Sequence, residues 1–291
     1  MDEKIKISEN SASEKLINER IKKIDLLRSK GIDPYPSTYN RTHLVGQGKE
    51  KFKSLENEFK DSKFDTEEFA FSGRVMSIRS MGKALFFDIK DKSDQIQCFA
   101  RKNNLGKNYE ILECLDIGDI LGVIGPLIRT RRGEISVDVK NVVMLTKSIR
   151  PLPDKWSGLK DIELRYRQRY LDLISNSKAY SNAIIRPAII KSIRDFMYKR
   201  GFIEVETPIL VPIPAGAQAK PFETYHNSLN RNLYLRIATE LYLKKLVVGG
   251  IEKVFEIGRL FRNEGIDHYH NPEFTTLESY QAYANYEDVM K

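Results

Sequence analysis

Between Glu68 and Leu145 the sequence alternates short strand-like runs with turn signals, and this pattern restricts the fold more than any other feature. The runs are Phe69–Val75, Ala84–Lys90, Gln95–Ala100, Ile120–Gly125 and Ile135–Leu145. Ser80-Met81-Gly82, Asp91-Lys92-Ser93-Asp94 and Arg131-Arg132-Gly133 supply turn residues between them. Residues 103–117 read as a helical insert. Five strands and one helix in about 80 residues fit an OB-type barrel. Such barrels commonly bind single-stranded nucleic acid through aromatic faces and basic groups, though the fold alone does not assign that function.

Length and charge agree with a barrel plus a second domain. The chain has 291 residues, 41% of them hydrophobic and 30% charged. At roughly 100–200 residues per domain, two domains are expected. The formal net charge of +8 suits a polyanionic partner, although a basic protein without one reads the same by charge alone. Cys98 and Cys114 have no CxxC spacing and no histidine partners at zinc-site intervals, so both are expected to be isolated buried thiols. This usage points to a reducing compartment. No apolar run reaches the ~20 residues of a membrane span, and the first residues lack a signal-like apolar region. A cytoplasmic protein without membrane contact is expected.

The rest of the chain divides accordingly. Residues 1–66 read as an N-terminal helix and linker. Ser11 and Glu14 have capping-box spacing ahead of Ile17, Ile21, Ile24 and Leu27. Gly31 ends that helix, and Pro34 and Pro36 keep the next segment extended. A lysine-rich, helix-prone linker then reaches about residue 66. The barrel domain occupies 67–147, a charged connector 148–182, and an α+β domain 183–291 that opens with a helix to Gly201.

The final hairpin carries the most chemistry. Val254–Arg262 reads as a strand, 263–272 as a polar loop and Glu273–Tyr283 as the return strand. Strand alternation puts Phe274, Thr276, Glu278, Tyr280 and Ala282 on one face. A carboxylate, a phenol and a ring on a single face suit a ligand; a solvated edge hairpin is the competing reading.

Longer words narrow the choice. Phe261-Arg262-Asn263-Glu264-Gly265, His270-Asn271-Pro272-Glu273-Phe274 and Leu277-Glu278 resemble motif 2 of class II aminoacyl-tRNA synthetases. Gly201-Phe202-Ile203-Glu204-Val205-Glu206-Thr207-Pro208 resembles motif 1, the dimer-forming helix and strand. Gly216-Ala217, Lys220-Pro221-Phe222, Tyr234-Leu235-Arg236-Ile237-Ala238, Glu240-Leu241 and Leu246-Val247-Val248-Gly249-Gly250 are similar to the lysine-specific branch. Arg165-Tyr166-Arg167-Gln168-Arg169-Tyr170-Leu171-Asp172-Leu173 is similar to the connector of that branch. The resemblance, to the lysyl-tRNA synthetases, runs from the N-terminal helix to Lys291. Its implied fold is α+β, an anticodon-binding OB barrel followed by the first part of a class II antiparallel-sheet catalytic domain.

The resemblance implies lysine activation by ATP and transfer to tRNA(Lys). Arg262 matches the catalytic arginine that bridges the α-phosphate and the lysine carboxylate, a task suited to a planar guanidinium. The adenine would stack on Phe274, with Glu264 and Asn271 near its polar edge and His270 near the γ-phosphate. Lysine would meet Glu278 and Tyr280 at its ε-ammonium, and Glu240 and the Gly216 backbone at its α-amino group. An ammonium and a carboxylate at ~4 Å attract by about 4 kcal/mol at an effective dielectric of 20. Glu240 also reads as a helix N-terminal acid behind a Thr239 cap, and both roles are compatible. His226 and His268 match no site position. In the barrel, Arg79, Phe86, Gln97 and Glu134 match anticodon-contacting positions, while Phe87 is expected in the core. Arg129, Arg131 and Arg132 form a basic cluster that reads either as phosphate contacts or as a solvated charge run.

Two departures follow. Ala215-Gly216 stands where the family usually has paired glycines, so a methyl group is expected to narrow the loop there. Motif 3 and the acidic magnesium ligands of the family would lie beyond Lys291, so Mg2+ is implied without ligands in these residues, and residues 1–291 alone are expected not to complete aminoacylation. A homodimer through motif 1 is implied. A non-catalytic tRNA-binding fragment and an aspartyl- or asparaginyl-tRNA synthetase relative are the competing readings.

Overall fold

The structure, a computed structural model, describes residues 2–58, 67–82, 84–130, 132–153, 159–267 and 269–290, with the backbone alone for residues 2–12. Residues 1–176 and 177–291 form two compact units. Among the described residues no helix is long and apolar enough to cross a membrane.

In the first unit, α1 (Asp2–Ser29) runs unbroken past Ser11, so the expected capping box does not start a helix. No glycine or proline interrupts residues 2–10, and nothing there breaks the backbone ladder. Ile24 and Leu27 are buried as their spacing predicts, whereas Ile21 is exposed. Gly31 adopts φ +73° and ends the helix, with Ile32 N–H donating to the Leu27 carbonyl at 3.0 Å. Arg20 ties α1 to the unit by donating to the carbonyls of Ser148 (2.9 Å), Arg150 and Ile117 (3.2 Å each).

The segment expected as a linker is instead part of the packed unit. It contains α2 (Val45–Glu58), whose Val45 and Phe52 join the barrel core. Asp91 Oδ2 accepts from Val45 N–H at 2.9 Å, and Ser93 Oγ accepts from Gly46 N–H at 2.8 Å. Burial would raise the Asp91 carboxyl, but bonds from the Ser93 hydroxyl and backbone N–H groups outweigh it and hold it below the usual range. Residues 59–66, the end of that expected linker, lie outside the described residues.

The barrel is built from β1 (Phe69–Met81), β2 (Ala84–Lys90), β3 (Gln95–Arg101), a short insert with α3 (Lys102–Leu105) and α4 (Tyr109–Glu113), then β4 (Ile120–Gly125), β5 (Leu127–Arg129), β6 (Ile135–Asp138) and β7 (Asn141–Thr146). The order is β5-β6-β3-β2-β1-β4-β7. One of the five expected runs, Ile135–Leu145, divides into β6 and β7, and β5 is a strand outside the expected runs. Pro126 separates β5 from β4, because it offers no N–H to a ladder. β4 pairs with β1 and β7, β5 pairs with β6, and β6 runs parallel to β3, which closes the ring. Gly125 is required at the crossing: a Cβ there would lie far inside van der Waals contact with the Asp138 carbonyl. Phe69, Phe71, Phe87, Ile89, Leu121 and Met144 are fully buried. Each contributes about 1.5–3 kcal/mol. Cys98 and Cys114 are free and buried in this core.

One buried charge cluster stands at the end of the barrel. Lys147 and Asp119 have fully buried side chains and pair at 2.7 Å. Lys147 also bonds Asp116, which takes a second bond from Lys23 of α1 at 2.7 Å. Beyond it come α5 (Ile162–Arg167) and α6 (Arg169–Ser175), arranged around buried Asp172, which accepts from Arg165 Nε (2.9 Å) and Arg169 (2.8 Å).

The second unit opens with α7 (Ser177–Lys199), which starts before residue 183. Gly201 at φ +80° ends it, with Phe202 N–H on the Met197 carbonyl at 3.1 Å. There follow β8 (Ile203–Glu204), β9 (Leu210–Val211), β10 (Glu223–His226), β11 (Arg231–Leu235), α8 (Glu240–Val248), β12 (Lys253–Phe261), β13 (Glu273–Gln281) and α9 (Tyr286–Met290). They make two three-stranded sheets, β10-β11-β9 and β13-β12-β8, with β8 parallel to β12.

Candidate functional site

The β12–β13 register fixes which groups share a face. Phe274, Thr276, Glu278 and Tyr280 stand opposite Leu260, Gly258, Glu256 and Val254. Ala282 lies just past β13, its N–H bonded to the Glu252 carbonyl at 2.7 Å. Glu256 facing Glu278 would be repulsive if both were bare. Arg236 resolves this: it pairs with Glu256 at 2.5 Å, both side chains being buried, and also donates to the carbonyls of Thr207 (3.0 Å) and Arg259 (2.9 Å). Thr207 Oγ1 donates to the other Glu256 oxygen at 2.6 Å. Gly258 leaves room for this guanidinium, which any Cβ would strike.

Glu278 is therefore the carboxylate left to the open side of this face. Its Oε1 accepts from Thr239 N–H at 3.4 Å and its Oε2 from Tyr280 Oη at 3.5 Å. Burial, then the charges of Glu278 and Glu240, push the Tyr280 phenol up to about 12, so it stays a donor at neutral pH. Gly216, at φ +92°, lies so close to Glu240 that a Cβ would sit 3.1 Å from the Glu240 Cβ and 2.9 Å from that of Ala238. Ala215 is half-buried beside it. The expected Thr239 cap does not form: its side chain makes no capping bond, and Oγ1 is buried without a partner among the described residues. Its backbone is already near-helical, at φ −99° and ψ −10°, unlike the extended geometry usual at that position.

At the open end of the hairpin, Arg262, Glu264, Gly265, Tyr269, His270, Asn271 and Phe274 line one cavity of about 280 Å³. The Arg262 guanidinium lies 5.2 Å from the centre of the Phe274 ring. Its buried Nε has no hydrogen-bond partner among the described residues, so a donor is held ready for an oxyanion. Asp267 shapes the loop, accepting from Tyr269 N–H (2.7 Å) and His270 N–H (2.8 Å) and pairing with His270 Nδ1 at 2.8 Å. The His270 bond holds the Asp267 carboxyl below its usual value. His226 closes the 226–229 turn by accepting from Leu229 N–H at 3.2 Å, and His268 lies outside the described residues.

In the barrel, Arg79, Met81, Phe86, Gln97, Thr130, Arg132 and Glu134 line a second cavity, of about 430 Å³. Phe86 stacks on Phe99 at 4.7 Å. Ser136 Oγ donates to Gln97 Oε1 at 3.2 Å, so the amide oxygen is engaged by β6. Phe87 is in the core, as alternation predicts. Arg129 departs from the basic cluster: its Nε bonds Glu56 of α2 at 2.6 Å and a second nitrogen bonds the Gly133 carbonyl at 2.5 Å. Its charge is neutralised inside the unit. Arg131 lies outside the described residues.

A family model for class II tRNA synthetases (D, K and N) matches residues 161–291, and one for OB-fold nucleic acid binding domains matches residues 69–145. Residues 161–291 are similar to the class II tRNA synthetases along their whole length. The whole chain is similar to lysine–tRNA ligases. It is 51% identical to that of Moorella thermoacetica over 280 residues, covering 96% of this chain and 55% of the relative. For Carboxydothermus hydrogenoformans the figures are 50%, 97% and 56%, and for Halalkalibacterium halodurans 48%, 98% and 57%. The chain thus spans a little over half the length of the curated relatives it matches.

Sequence reasoning missed several groups in the synthetase portion and the OB domain. Arg236, Glu256 and Gly258 were not singled out, although a glutamate between Phe255 and Ile257 in a strand signals a buried partner. Phe99 was legible only through its pairing with Phe86. Among the described residues no group of three or more His, Cys, Asp or Glu could hold a metal ion. On the other face of the hairpin, Ile257 and Leu277 join Ile185, Ile189, Ile190 and Ile193 of α7 around an apolar groove of about 410 Å³.

Proposed function

We propose that this chain carries the anticodon-binding barrel and part of the amino-acid-activating site of a lysine–tRNA ligase. The observation that carries the reading is one hairpin with two adjoining ligand features. Glu278 and Tyr280, with Glu240 and Gly216 nearby, suit a cationic amino acid. Arg262 and Phe274 line the cavity at its open end.

In this reading a lysine carboxylate oxygen attacks the α-phosphorus of ATP. The new O–P bond forms as the bond to the β-phosphate oxygen breaks, and pyrophosphate leaves. The lysyl group then passes to tRNA(Lys). Arg262 draws the two anions together, and Phe274 supports the adenine with Glu264 and Asn271 at its edge. His270, held by Asp267, faces the outer phosphates. Catalysis is positioning and electrostatic stabilisation, without a protein nucleophile. Glu278 and Glu240 would repel an aspartate side chain, which separates this reading from the aspartate and asparagine members of the same family. The apolar groove, with Ile184, Ile185, Ile189 and Phe196 of α7 more than half exposed, supports a homodimer through this face. Two buried free thiols suit a reducing compartment, and a cytoplasmic location belongs to this reading.

Amino-acid-dependent ATP–pyrophosphate exchange tests it. The protein carrying this chain is expected to exchange with lysine and not with aspartate or asparagine; exchange driven by either of those would overturn the assignment. For the barrel, Phe86→Ala is expected to weaken binding of a uridine-rich anticodon stem-loop by about 1–3 kcal/mol, the loss typical of one base–aromatic stack. Unchanged affinity in a filter-binding titration would remove Phe86 from the interface.

A further inference from the structure

The carboxylate assigned to the ligand's α-amino group already has a resident cation. Lys244, one turn along α8, places its Nζ 2.6 Å from Glu240 Oε1. The same ammonium stands 5.6 Å from the centre of the Tyr280 ring. The two oxygens of Glu240 are thereby divided. Oε1 is held by Lys244, and Oε2 is the oxygen on the Gly216 side, where a Cβ on that glycine would meet it at 3.8 Å.

We infer that Lys244 is a positioning residue for amino-acid recognition: it fixes the Glu240 carboxylate so that Oε2 faces the Gly216 loop, ready for an incoming ammonium. The inference rests on the lysine-activating reading above. An unheld glutamate would sample several rotamers, and each bound amine would have to order it. Glu240 and Glu278 also converge on one site, and their mutual repulsion would favour turning Glu240 outward. The Lys244 charge offsets that repulsion from a half-exposed position, held by the Glu240 bond and the face of the Tyr280 ring. An ordinary exposed pair at this spacing would stabilise the helix by about 0.3–0.5 kcal/mol and nothing more. The division of the carboxylate between Lys244 and the Gly216 side is what an ordinary pair does not require.

The test is lysine-dependent ATP–pyrophosphate exchange in the protein carrying this chain, with Lys244→Met and Lys244→Arg compared with the parent. Lys244→Met is expected to raise the KM for lysine by about three- to tenfold, the size of a lost orienting contact. KM for ATP, kcat and the thermal midpoint should stay near the parent values. Lys244→Arg should restore most of the lysine KM, since it returns a cation to Glu240. An unchanged lysine KM in Lys244→Met would reduce the pair to helix decoration and overturn the inference. A lower KM would overturn it too, by making Lys244 a tethered competitor of the substrate. Absence of lysine-dependent exchange in the parent would overturn the underlying reading itself, so the two failures are distinguishable.

Discussion

Replacing Arg262 by alanine is expected to slow lysine-dependent ATP–pyrophosphate exchange by roughly 10²–10³-fold, the loss typical of one electrostatic donor aimed at developing charge. The residue is built for this. Its N–H bonds the Pro272 carbonyl at 2.9 Å, which pins the backbone at the mouth of the hairpin. Phe274 lies beneath the guanidinium, and the buried Nε keeps an unused donor. Two anions must approach within bonding distance here, and without Arg262 none of the other groups assigned to this step supplies a cation between them. Arg262→Lys should recover only part of the rate, because an ammonium restores charge but not the planar fork that meets two oxyanions. The backbone bond survives either change, so the thermal midpoint should scarcely move. Exchange within tenfold of the parent for the alanine variant would remove Arg262 from the catalytic role.

The second large effect is on stability. Lys147→Met is expected to destabilise the N-terminal unit by about 3–5 kcal/mol, the typical result of removing one partner from a buried ion pair. Asp119 would remain buried with its charge uncompensated, and Asp116 would keep only Lys23. The pH dependence gives an independent check. Burial already pushes the Asp119 carboxyl above its ordinary value in the presence of Lys147. A carboxyl raised in the folded state is neutral more often there than in the unfolded chain, so acidification favours the fold through this group. Asp116 behaves oppositely. Burial opposes its charge, but bonds from Lys147 and Lys23 outweigh that and lower it. It therefore contributes stability above its ordinary value of 3.8, lost as pH falls through the folded value. Removing Lys147 strengthens the first effect and weakens the second. The stability gap between parent and variant should accordingly narrow from pH 7 toward pH 4 in denaturant titrations. A gap under 1 kcal/mol, or one that widens on acidification, would rule out this account.

Residues whose neighbours are set by local periodicity were legible in the sequence. With Phe86 placed on the ligand face by resemblance, strand alternation put Phe87 into the core, and the hairpin bounds of β12 and β13 fall within two residues of expectation. What escaped was set by contacts distant in sequence. Phe52 and Val45 read as linker residues because their partners belong to the barrel, not to their own segment. The Thr239 cap failed because the chain enters α8 with its backbone already near-helical. Arg129 read as a free cation because Glu56, which neutralises it, is remote in the chain. Arg236 and Glu256 are the same case at the candidate site: each looks like an ordinary surface charge until the fold buries them together.

The pairing of β12 has a consequence for the order in which the second unit assembles. With β13 it makes nine register pairs across one connecting loop, so that contact is local and its closure entropy small. With β8 it makes only two, Val254 to Ile203 and Phe255 to Glu204, and the intervening chain includes three further strands, β9, β10 and β11, and helix α8. Local contacts form on faster timescales than such distant parallel ones. The ribbon that presents Arg262, Phe274, Glu278 and Tyr280 is thus expected to form early, and the short parallel seam with β8 to form late.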